Sequence, residues 1–79
     1  MNNNDRFVAA KIIRCLNKCV DLYPSNPCDI KKLAANAMTL RDAHRELGFA
    51  LTSLRYGDYE DANEEADKAM QVLGLEQAP

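Results

Sequence analysis

Between Ile30 and Leu54, apolar positions recur at alternating intervals of three and four residues. Ile30, Leu33, Ala37, Leu40, Leu47, Leu51 and Leu54 belong to the series, and His44 is its one polar member. That spacing is a heptad seam and predicts a long helix over residues 27–56. Upstream, Val8, Ile12, Cys15, Leu16, Cys19 and Leu22 form one stripe, while Lys11, Arg14, Lys18 and Asp21 form the opposite one. This amphipathic pattern predicts a first helix over residues 5–23. Downstream, Tyr59, Ala62, Ala66, Ala69 and Leu73 repeat at the same intervals and predict a third helix over residues 59–73.

The residues between these segments supply stops and starts. Asn4 or Asp5 is suited to cap the first helix, and Pro24-Ser25-Asn26-Pro27 to break it, because proline lacks an amide donor and restricts its predecessor. Asn26 as cap and Pro27 as the first helical residue would open the second helix. Gly57 can adopt the left-handed conformation that closes it, and Asp58 can cap the third. Gly74 and Leu75 suit a Schellman ending, after which Glu76-Gln77-Ala78-Pro79 should fray. The expected fold is all-α: three helices, up-down-up, with a long second helix. At 1.5 Å per residue that helix would reach ~45 Å, well beyond its neighbours. It must bend, break at the capping-box pair Thr39 and Asp42, or leave part of its seam for a partner.

Seventy-nine residues make one domain near the lower limit for a self-sufficient core. With 47% apolar and 28% charged residues, the chain has the composition of a folded protein rather than a disordered one. No apolar run has the length of a membrane span, and Met1-Asn2-Asn3-Asn4-Asp5 lacks signal-peptide regions, so a cytoplasmic protein without membrane contact is expected. Net charge is −2 with a pI near 5.2, which gives no overall attraction to nucleic acid. Acidic residues crowd the start of the third helix, where they complement the helix dipole.

Candidate chemistry is sparse. Three cysteines do not make a disulfide framework, and Cys15 and Cys19 suit the role of small hydrophobes. Cys15, Cys19, Cys28 and His44 lack the paired short spacings of a zinc site, so no metal is expected. No phosphate loop, paired-carboxylate site or second histidine accompanies His44, and neither enzymatic activity nor a cofactor is expected. His44 reads as a histidine at the edge of the core that sets helix register, with a pH-responsive contact as a second reading.

Gly57-Asp58-Tyr59-Glu60-Asp61-Ala62 with Lys68-Ala69-Met70 resembles the second half of a tetratricopeptide repeat, and Leu47-Gly48 with Ala50 and Leu51 resembles the first. The spacing from Gly48 to Gly57 is two residues longer than the usual pattern, and His44 and Ala66 stand where aromatics are expected. The resemblance implies a tight helical hairpin that binds a peptide or protein, with Gly48 as a point of close packing. Ala43 to Phe49, with Ser53-Leu54-Arg55 beyond, also has the outline of a helix-turn-helix with its turn at Gly48, which makes a small DNA-binding regulator the alternative.

The resulting expectation is a non-enzymatic protein–protein interaction module, such as an adaptor, small chaperone or inhibitor. It would form a homodimer or bind a different protein. Candidate partner-binding residues are Leu40, His44, Leu47 and Leu51 of the seam, together with the aromatics Phe7, Phe49 and Tyr56.

Overall fold

The computed structural model describes residues 3–75, with side chains described from Arg6 onward. Three helices follow one another: α1 (Asn3–Leu22), α2 (Ile30–Arg55) and α3 (Tyr59–Val72). They pack pairwise into the expected all-α, up-down-up bundle, and α2 with α3 makes the most extensive contact. Asn4 and Asp5 fall inside α1, which begins at Asn3, so neither precedes the helix as its cap, and the fraying expected of residues 76–79 lies outside what is described.

The α2–α3 hairpin forms as its local chemistry dictates. Gly57 has φ +77°. Its amide donates to the Leu54 carbonyl at 3.1 Å and the Asp58 amide to the Ser53 carbonyl at 2.9 Å. Those two bonds are a Schellman closure and satisfy carbonyls that the helix end would otherwise leave unpaired. The Asp58 side chain then accepts from the Asp61 amide and opens α3. Gly74, at φ +70°, repeats the device at the far end of α3. There the Leu75 amide donates to the Met70 carbonyl at 2.9 Å, and Leu75 folds back onto the core.

The start of α2 differs from expectation. Asn26 does not cap the helix, and Pro27 is not helical. The Asn26 side chain accepts from the Cys28 amide at 2.9 Å, a local turn that consumes its capping oxygen. Asp29 caps α2 instead, accepting from the Lys32 amide at 3.1 Å. From there α2 runs unbroken to Arg55, through both Thr39 and Gly48. Neither the break at Thr39 nor the turn that a helix-turn-helix requires at Gly48 is present.

The core is built from Val8, Ile12, Cys15 and Cys19 of α1, Leu40, Ala43, Leu47 and Ala50 of α2, and Ala62, Ala66, Ala69, Met70 and Leu73 at the α3 end. Alanines on both sides of the α2–α3 contact let the two backbones approach, leaving Met70 and Cys15 as the largest fully enclosed side chains. The buried stripe of α2 therefore runs Leu40–Ala43–Leu47–Ala50, with Leu54 half-buried below it. It keeps the three-four rhythm of the heptad seam but turns one position away from His44 and Leu51. Leu16, expected in the α1 stripe, is likewise turned out.

Polar contacts hold α1 in place. Lys11 Nζ donates to Asn63 Oδ1 at 2.7 Å and to Asp67 Oδ1 at 2.8 Å, tying α1 to α3. At the other end of α1, Asn36 Nδ2 donates to the Leu22 carbonyl at 3.0 Å, and Tyr23 meets α2 at His44. Leu22 thus lies beside Asn36, and the first turns of α2 project beyond the end of α1. No residue from Ile30 to Thr39 is fully buried.

Candidate functional site: an apolar face across α1 and α2

Leu16 and Val20 share one face of α1, and Tyr23, which follows its last residue and whose amide still bonds to the Cys19 carbonyl at 3.2 Å, continues that face. The Tyr23 hydroxyl hydrogen-bonds with His44 Nε2 at 2.9 Å, and the two rings tilt at 42° with centroids 6.1 Å apart. This contact crosses from α1 to α2 and fixes which side of α2 continues the face. His44 is seven residues from both Ala37 and Leu51, two helical turns in each direction, and Ile30 and Leu33 extend the row. All of these residues are exposed to solvent.

The large apolar members of this face, Leu16, Val20, Tyr23, Ile30, Leu33 and Leu51, keep between 41% and 71% of their surface exposed. Together they present on the order of 600 Å² of accessible surface, at the upper end for the largest apolar patch on a monomer. Charge is sparse across it. Lys11 points the other way, to α3, and Arg41 and Arg45 are turned to Asp42 and Glu46 along their own helix, with nitrogen–oxygen distances of 3.3–3.9 Å.

The partner-binding candidates read from the sequence are distributed differently. Leu40 and Leu47 are core residues, 4% and 2% exposed, and cannot meet a partner as the helices stand. His44 lies outside the core, bonded to Tyr23, so it does not set register from within. His44 and Leu51 belong to the α1–α2 face. Phe49 is two residues from Leu51, about 200° around the helix, and so on the opposite flank. Tyr56 is exposed beside the hairpin turn, and Phe7 is exposed on α1 away from the Leu16–Val20–Tyr23 row. The structure therefore brings together only His44 and Leu51 of that set. Ile13, Leu16, Val20 and Tyr23 repeat at intervals of three, four and three, a second apolar row on α1 that marks the missing half of the face.

Gly48 is not a point of close packing. It is exposed, and a Cβ built there would meet no neighbouring atom within 4 Å. The alanines of α2 and α3 take that role, so the part of the tetratricopeptide resemblance that rested on Gly48 has no counterpart in the packing.

Among the described residues, reactive groups do not converge. Cys15 is enclosed, and burial followed by the neighbouring Cys19 pushes its thiol up to about 11 from an ordinary 9.0. Burial also raises Cys19, while Cys28 is exposed in the α1–α2 loop. Asp61 is raised by the hydrogen bond from its side chain to Asp58 and then by the charge of Asp58. Among the described residues no cluster of three His, Cys, Asp or Glu side chains is placed to hold a metal ion, and no helix is long and apolar enough to cross a membrane.

Comparison with known proteins gives no relative to lean on: no family model matches the chain, and no curated protein or solved structure is significantly similar to it.

Proposed function

We propose that this chain is a non-enzymatic protein-interaction module, an adaptor, small chaperone or inhibitor, that works through the α1–α2 face. One observation carries the reading. The core is closed by alanines and by side chains such as Val8, Ile12, Leu40 and Leu47, while Leu16, Val20, Ile30, Leu33 and Leu51 stay exposed together on one sparsely charged surface. Exposing that much apolar surface is unfavourable by about 25 cal/mol per Å² relative to covering it, so the face gains most from a protein partner that buries it. The free thiols of Cys15 and Cys19 accord with a reducing, cytoplasmic setting for this activity.

Val20→Glu and Leu33→Glu test the proposal, since both place a charge on the face at positions that contribute little to the core. In affinity capture from a lysate of the source cell, the wild-type chain should retain a protein that both variants lose, while Phe49→Ser retains it. Equal retention by all four chains, or none by the wild type, would refute the reading.

A further inference from the structure

The exposed row on α2 has a symmetry that points to one occupant. Reversing the helix about a point between Ala37 and His44 carries Ile30 onto Leu51, Ala37 onto His44 and Leu33 onto Gly48. Gly48 has open space where a side chain would be, so this reversal lays Leu33 over the one position in the row without a side chain. We propose that a second copy of this chain covers the face, with the two α2 helices antiparallel across a two-fold axis near Arg41. The proposal rests on the reading of this face as a protein-contact surface and adds the identity of the partner.

Charge and area both fit. An isologous contact places a patch against itself, and a strongly charged patch would repel its own copy. Arg41 is the cation nearest the axis, and its guanidinium is drawn to Asp42 Oδ1 at 3.3 Å, which offsets the repulsion between copies. At the helix ends, the antiparallel arrangement brings Arg55 of one copy towards the Asp29 end of the other. A parallel pair would instead set Arg55 against Arg55 and Asp29 against Asp29. Two faces of about 600 Å² bury roughly 1,200 Å², which reaches the range of specific protein interfaces. The start of α2, where no residue from Ile30 to Thr39 is fully buried, would then lie against the later turns of α2 in the other copy.

Sedimentation velocity on the full chain, from about 5 to about 200 μM under reducing conditions, tests this. The wild type should shift from monomer to dimer with concentration. Val20→Glu and Leu33→Glu should each weaken the dimer tenfold or more, while Lys68→Glu on the exposed side of α3 leaves it unchanged. Cys28 reports the orientation. Antiparallel pairing holds the two Cys28 residues ~38 Å apart at 1.5 Å per residue, so the oxidised wild-type dimer should form no Cys28–Cys28 disulfide. Rapid formation of that disulfide would overturn the antiparallel arrangement, and a dimer indifferent to both face variants would overturn the surface. A strict monomer at 200 μM would overturn the second copy. If a captured partner were nevertheless lost in the same variants, the protein-contact reading would stand without it.

Discussion

Two glycines give a matched perturbation in which one chemical change should act with opposite signs. Gly48 is helical, exposed, and has no neighbour within 4 Å of a built Cβ. Replacing it with alanine removes only the backbone entropy penalty of glycine in a helix interior, a gain of about 0.5–1 kcal/mol. Gly57 is equally open but has φ +77°. There an alanine meets no tertiary clash, and its cost is that of the left-handed conformation alone, about 1–2 kcal/mol. The two variants should therefore differ by about 1.5–3 kcal/mol, with the wild type between them. Urea denaturation followed by circular dichroism at low micromolar concentration, where any dimer is dissociated, reads the difference directly. For an m-value near ~1 kcal/mol/M the midpoints should be separated by about 1.5–3 M. A destabilised Gly48→Ala would mean that α2 is broken or tightly packed at Gly48, as the helix-turn-helix or repeat-like readings require. An unchanged Gly57→Ala would remove the Schellman closure from the account of the turn.

Three further expectations concern side chains. Lys11→Met removes two bonds between α1 and α3, formed by groups about three-quarters buried, and should cost about 1 kcal/mol, less at high salt; a midpoint unchanged at any salt would discount the clamp. Cys28 should react at once with a thiol reagent in the native protein, while Cys15 and Cys19 react only as the bundle opens. Because the folded state favours the neutral Cys15 thiol, its contribution is complete below the ordinary 9.0 and is lost as pH rises to about 11. Stability should fall through that window in the wild type and less in Cys15→Ala. Asp61 should titrate above its ordinary 3.8 in a carboxyl NMR titration of the wild type, and the elevation should shrink in Asp58→Asn; an Asp61 that titrates normally in the wild type would contradict the pairing. Protonated Asp61 favours the fold, so its contribution is present at acid pH and lost as pH rises through the raised value.

How much was legible in the sequence depended on which signals were local. The Gly57–Asp58 turn, the Gly74–Leu75 ending and the α3 stripe are set by residues within a few positions of one another, and each is found as read. The start of α2 is not legible because Asn26 and Asp29 are both competent caps, and the turn at Cys28 decides between them. The register of α2 differs by one position from its heptad spacing for another reason. A helical row of Ile and Leu has the same spacing whether it faces a core or a partner, and the row that enters the core, Leu40–Ala43–Leu47–Ala50, is half alanine. Small residues give a weak periodic signal, yet they are what the close approach of α2 and α3 needs. The same spacing sets His44 at the edge of the core, whereas its partner, Tyr23, is 21 residues away in sequence. The face itself required α1 and α2 to be placed side by side, and no spacing within either helix shows that.

The central claim is that the α1–α2 face is covered by protein. A photoreactive amino acid introduced at position 20, 33, 49 or 68 of the full chain and activated in the source cell tests it most directly. Positions 20 and 33 should give protein adducts, whether with a second copy or with a different chain, while positions 49 and 68 give few. Adducts spread evenly over the four positions, or concentrated at 49 and 68, would contradict the account.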